Sequence, residues 1–130
     1  MAPERIDELI RYRNEKSRIT LEDARIAIEN KRFLNASNRI YYAIFYIVSA
    51  LALTKNFFTS KHVQLLGWFN QNFVNSGIVS KELGKIYSNA FEFRQESDYD
   101  DFVTFEESEI HTRYTEANLF VNEIEKLLHP

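Results

Sequence analysis

The stretch "EFRQESDYDDF", residues 92–102, concentrates groups that can do chemistry: Arg94, then Asp98, Tyr99, Asp100 and Asp101. A guanidinium is a rigid fork of donors that fits a carboxylate or a phosphate equally well. Its placement raises the question. Leu83, Tyr87, Ala90 and Arg94 fall on one helical line, and at 100° per residue Arg94 lies within about 20° of Leu83 around the axis. The charge therefore starts from the buried side of its helix. An unpaired buried charge costs several kcal/mol, so Arg94 needs a carboxylate or a wet cleft. The acids that follow need compensation too, because a helix C-terminus disfavours each carboxylate by about 0.3–1 kcal/mol. Arg39, in "NASNRIYYAIF", opens the most apolar stretch and is the distant cation best placed to join them. Two readings stay open at this point. Arg94 and Asp98 form an internal network that fixes helix register, or Arg94 and Arg39 meet phosphate in a polar cleft.

Other candidate groups give weaker signals. His62 lies on an apolar stripe with Leu66, Phe69 and Phe73 and reads first as a hydrogen-bonded core or helix-start histidine. His111 and His129 are distant, no pair has metal-ligand spacing, and no metal site is expected. "DYDD" could offer oxygens to Mg²⁺ but reads as a solvated acidic turn. Tyr41, Tyr42, Phe45, Tyr46 and Trp68 could stack bases, although aromatic residues at helical spacing are more often core or dimer contacts. Gly67, Gly77 and Gly84 are isolated and form no phosphate loop, and no serine has a supporting base. No cofactor is expected.

The elements that must hold these groups are helices. The 130 residues include 11 Phe and 7 Tyr but only 3 Gly and 2 Pro, so interior breakers are scarce. Five segments read out. The first spans 4 to about 29, with a break near Ile19-Thr20 suggested by the dilution of its stripe at Arg13 and Ser17. Asn35 or Ser37 caps the second, which runs to about 55 and is apolar on all sides from Ile40 to Leu53. Thr59 or Ser60 opens the third, which ends at Gly77. Ser80 caps the fourth, to about 97. A "TFEE" capping box (Thr104, Glu107) opens the fifth, whose Ile110, Tyr114, Ala117, Val121, Ile124 and Leu128 form a heptad seam. These predict an all-α, up-and-down bundle of about five helices in a single domain, 1–130.

Charge and composition bound the function. There is no cysteine, hence no disulfide and no thiolate metal site. The charged start "MAPERIDELIRYRNEK" does not read as a signal peptide, and the 14-residue window Ile40–Leu53 is short of the ~20 residues that span a bilayer, so a soluble cytoplasmic protein is expected. Residues 1–91 carry 13 Lys and Arg against 8 Asp and Glu, whereas residues 92–130 carry 3 against 11. Solvated helix faces explain such a split; so does a basic surface for nucleic acid with an acidic one for a partner protein.

Taken together, "ASNRIYYAIFYIVSALA" (36–52), "SKHVQLLGWFNQNFVNSG" (60–77) and "ELGKIYSNAFEFRQESDYDDF" (82–102) resemble the HEPN domain family, specifically the small prokaryotic branch encoded beside a minimal nucleotidyltransferase. The resemblance covers nearly the whole chain. It implies an α-helical bundle, a homodimer, and a toxin–antitoxin-like pairing with that nucleotidyltransferase. It also implies contact with RNA or nucleotide phosphate and, in many members, metal-independent ribonuclease activity. The family signature is Arg, four to six residues, then His. Arg94 matches, but Tyr99 stands at the first allowed His position and Asp100 and Asp101 at the next two. On this resemblance Arg94 and Tyr99 are the candidate catalytic pair, with Arg39, Arg94 and Asp98 at the bound phosphate. The tyrosine that partner enzymes adenylylate in related toxins is matched here by Asp101, which leaves Tyr99 as a substitute acceptor. The alternative is a noncatalytic interaction protein whose Arg–Asp cluster only fixes helix packing.

Overall fold

A computed structural model of the chain describes residues 3–99 and 104–128, the side chains of residues 3 and 99 excepted. Among these residues five α-helices follow one another: α1 (Pro3–Glu29), α2 (Phe33–Thr54), α3 (His62–Phe69), α4 (Lys81–Tyr99) and α5 (Glu107–Glu125). A π-helical segment, Asn70–Val74, extends α3, and no strand occurs among the described residues. The expected all-α bundle is the observed one.

The all-round apolar character of α2 decides the architecture. It packs against α1, α3, α4 and α5 and contributes Ile40, Ile44, Ile47, Val48, Leu51 and Leu53 to the core, none more than 3% exposed. It is also the helix, among the described residues, that is long and apolar enough to cross a membrane. The bundle accounts for that composition instead, since 72% of its apolar window is buried by the other helices. The heptad line of α5 meets this core, with Ile110, Ala117, Val121 and Ile124 fully buried.

Local chemistry moves several helix ends from where the sequence suggests. α1 does not break at Ile19-Thr20. The Ser17 hydroxyl donates to the Ala43 carbonyl at 2.7 Å and Thr20 donates to Lys16 O at 2.6 Å, so both polar groups are satisfied inside a continuous helix. α2 starts before Asn35 and Ser37, and neither caps it. Arg32 N–H donates to Ala27 O at 2.8 Å while Lys31 takes φ 58°, a Schellman-type turn that leads the chain directly into α2 at Phe33. The Thr104–Glu107 capping box does not form, because α5 begins only at Glu107, after an extended Glu106. Thr59 accepts the Lys61 N–H at 3.1 Å in the turn before α3 and does not cap it. Two signals hold: Ser80 accepts the Leu83 N–H at 3.2 Å, and Gly77 takes φ 84°. Gly84 lets α4 approach the π-helical segment, since a Cβ there would lie 2.9 Å from a Val74 methyl.

Candidate functional site

Three helices deliver the site. The exposed α2–α4 groove holds Arg94 at its edge, and the start of α3 brings His62 to the same place. Rotation of α4 puts Tyr87 and Ala90 in the core and carries Arg94 onto the same inner side, its side chain only 23% exposed. The guanidinium carbon lies 5.0 Å from the Tyr41 ring centroid and 5.3 Å from that of Tyr42. Two aromatic faces from α2 thus shelter the cation without neutralising it.

Its polar partners are few. Nη1 donates to His62 Nδ1 at 3.3 Å. Nε lies 3.5 Å from Asp98 Oδ2, close enough for an ion pair but without a hydrogen bond, and this buried Nε has no hydrogen-bond partner among the described residues. Asp98 is itself half exposed. Arg94, Asp98 and Ser97 from α4 face Leu34, Asn35, Ser37 and Asn38 from α2 across a groove of about 450 Å³. Among the described residues the guanidinium thus leaves a donor unmatched, with an opening beside it.

His62 sits at the centre of the polar cluster. Tyr41 Oη and His62 Nδ1 are 2.7 Å apart, and the imidazole stacks on Phe45 with centroids at 4.2 Å. A guanidinium can only donate, so Nδ1 must accept, and the Tyr41 hydroxyl donates to the same nitrogen. The imidazole is then neutral with its proton on Nε2. Burial, and then the charge of Arg94, hold its pKa below the ordinary histidine value, which fits the same assignment. Tyr41 is pushed well above the usual tyrosine range, chiefly by burial, and remains a hydroxyl donor. The cluster is a hydrogen-bonded chain, Tyr41–His62–Arg94, one end in the core and the other at the groove.

The residues singled out from sequence divide as follows. Arg94 and Asp98 come together. Arg39 contacts the same Tyr42 ring at 5.3 Å, but donates to Asn38 Oδ1 at 2.6 and 3.1 Å and lines an adjoining groove with Arg32 and Asp23. Asn35 lines both grooves. Tyr99 closes α4, but its side chain, like Asp100 and Asp101, lies outside the described residues. His62 is the residue whose part in the site sequence reading missed. It is the first residue of α3 and hydrogen-bonded, as expected, yet it also reaches Arg94, 32 positions away. The available signal was a tyrosine, Tyr41, on the buried face of the most apolar helix, whose hydroxyl requires a polar partner from another element. Among the described residues no group of His, Asp and Glu is arranged to hold a metal ion.

The HEPN domain model matches residues 10–127. The chain belongs to the HEPN family. Its HEPN relatives include a UPF0332 protein of Thermotoga maritima, 44% identical over 94% of this chain and 92% of that protein. Two Methanocaldococcus jannaschii proteins, each described as a candidate toxin, are also similar. One is 39% identical over 83% of this chain and 80% of its own length; the other is 31% identical over 92% and 85%. The match takes in most of α1 and all of the other helices, including the three that build the Tyr41–His62–Arg94 cluster.

Proposed function

We propose that this HEPN domain is a toxin-like RNA-binding protein that takes a backbone phosphate in the groove beside Arg94. The observation that carries the reading is a mostly buried guanidinium whose Nε lacks a hydrogen bond to any described residue while a groove of about 450 Å³ opens next to it. A purely structural arginine has its donors matched; this one keeps donors for an anion. Asp98, at 3.5 Å, holds the place that a phosphate oxygen would take. Arg39, one groove away, adds positive charge along the path of a strand. The description of two relatives as candidate toxins supports the toxin-like role. A homodimer, and a minimal nucleotidyltransferase-type protein as partner, complete the proposal through the family resemblance.

A ribonuclease reading is favoured by one specific feature. His62 brings a neutral imidazole to 3.3 Å from Arg94, so an imidazole–guanidinium pair exists here although Tyr99 stands at the first motif-His position. In such chemistry the imidazole moves a proton at the ribose 2′-oxygen or the leaving oxygen, and the guanidinium stabilises charge on the phosphorus centre.

The test measures binding of a fluorescent single-stranded RNA by anisotropy, followed by incubation to detect cleavage. Arg94→Ala is expected to weaken binding by about 30-fold, from ~2 kcal/mol for charge-assisted hydrogen bonds. Unchanged RNA affinity in that variant would refute the phosphate site. Cleavage by the wild type that disappears in both Arg94→Ala and His62→Ala would establish the nuclease reading, whereas intact RNA at high protein concentration would reject it.

A further inference from the structure

The imidazole of His62 also lines a second groove, of about 320 Å³, on the α1 side of the bundle. Its walls bring together Tyr12, Arg13 and Lys16 from α1, Tyr46 from α2, and Ser60 from the turn before α3. Two cations, Arg13 and Lys16, thus line this groove, and like Arg5 and Arg11 on the same helix neither has a carboxylate partner among the described residues. Arg18 and Arg25, further along α1, are each matched by glutamates: Arg18 by Glu125, and Arg25 by Glu22 and Glu29. Arg13 makes no hydrogen bond or ion pair with any described residue, although it is partly buried and burial pulls its pKa below the ordinary arginine value. Lys16 has no carboxylate among the described residues either; its Nζ lies 4.7 Å from the Tyr46 ring centroid and 5.7 Å from that of Tyr12. Those contacts hold the ammonium in the groove and leave its charge uncancelled. The Ser60 hydroxyl has no partner among the described residues, and Tyr12 is 57% exposed. His62 Nδ1 is committed to Tyr41 and Arg94, so Nε2–H is the polar group it has left to offer.

We infer that this second groove binds the terminal phosphate monoester of an RNA strand, with Arg13 and Lys16 sharing the dianion and Tyr12 stacking on the terminal base. Charge matching selects a monoester: two uncancelled cations balance a terminal phosphate near −2, whereas an internal phosphodiester carries one charge. An exposed aromatic ring beside a cationic groove is the arrangement that grips a single strand, because every base has a face to stack. His62, in this groove, contacts Arg94 of the first at 3.3 Å, so a strand whose end sits at Arg13 and Lys16 would meet Arg94 further along its backbone. The inference thus rests on the RNA reading of the Arg94 groove and adds to it a preference for strand ends. Either a 5′- or a 3′-phosphate has the required chemistry, and the experiment separates them.

The experiment compares one hexanucleotide RNA carrying a 5′-phosphate, a 3′-phosphate or hydroxyl ends, with affinity for the full chain measured by calorimetry. One phosphorylated form is expected to bind about tenfold tighter than the hydroxyl-ended strand, the scale of an added charge-assisted contact. Lys16→Gln and Arg13→Gln are each expected to erase that advantage while changing affinity for the hydroxyl-ended strand by less than about threefold. Lys16 is the less packed of the two, and its variant carries the test if Arg13→Gln loses its helical circular dichroism. Equal binding of all three strands by the wild type overturns this inference and leaves the Arg94 groove standing. An advantage that survives in Lys16→Gln overturns it equally. Failure of every strand to bind overturns the Arg94 reading and this one together.

Discussion

Arg18 and Arg94 are both arginines on inner helix flanks, and they are satisfied in opposite ways. Arg18 reaches from α1 to α5, where Nε and Nη2 donate to the two oxygens of Glu125 at 3.1 and 2.7 Å. That is a bidentate clamp between the beginning and end of the chain. Arg94 is the more buried side chain, 23% exposed against 38%, yet its carboxylate stands off at 3.5 Å, and its hydrogen bonding among the described residues runs to neutral rings, His62 at 3.3 Å and Tyr41. Burial raises the value of a complete match and the cost of an incomplete one. The bundle nevertheless completes the match where burial is less. An arginine serving only the fold is expected to follow the Arg18 pattern; the Arg94 pattern is the one that the proposed phosphate site calls for.

Stability should therefore follow Arg18 and not Arg94. Arg18→Ala removes a part-exposed bidentate pair and is expected to cost about 1 kcal/mol, a fall of several degrees in Tm for a domain of this size. Arg94→Met keeps the stem packed on Tyr41 and Tyr42 while deleting a poorly matched charge. Its expected stability change is within about 0.5 kcal/mol of zero. Urea unfolding of the two variants reads both values. A loss in Arg94→Met larger than that in Arg18→Ala would make the Arg94 cluster a structural network.

Asp98 sharpens the contrast from the other side. Half exposed and 3.5 Å away, it contributes little as a partner, yet it competes with any incoming anion. Asp98→Asn should leave unfolding nearly unchanged and tighten RNA binding by about threefold, a modest gain expected where a neighbouring negative charge is removed at a surface. Weaker binding would mean that the carboxylate orients Arg94 instead of opposing its ligand.

The fold was legible in the sequence to a different degree from the site. Scarce breakers, an all-round apolar α2 and the heptad line of α5 are statements about burial, and burial is what composition and periodicity encode. Helix ends were less legible. At α2 a Schellman-type turn carried by Lys31 displaced the caps that Asn35 and Ser37 suggested, since hydroxyl and amide signals describe one local solution among several. The rotation of Arg94 toward the bundle interior followed directly from helical geometry. The position of His62 did not, because contacts between α2, α3 and α4 depend on how helices pack. The π-helical extension of α3 carried no sequence signal, being a single shift of hydrogen-bond register: Asn75 N–H donates to Asn70 O at 2.8 Å.

If Arg94 helps to hold His62 neutral, the stability of the bundle should carry a small dependence on pH. A folded-state pKa below the unfolded value of about 6.5 means that the unfolded chain binds a proton more readily. The stability tied to the neutral imidazole is thus fully present above pH 6.5. It falls as pH drops from there through the lowered folded value, and levels off below it. Arg94→Met removes the second cause of the depression but leaves burial, the larger one, in place. The decline should persist in that variant with a shallower slope, and His62→Gln should abolish this component. Urea midpoints between pH 7.5 and 5 in the three proteins read the difference. An Arg94→Met slope equal to that of the wild type would show that the guanidinium charge does not reach the imidazole. The Tyr41–His62–Arg94 chain would then be two neighbouring contacts acting independently.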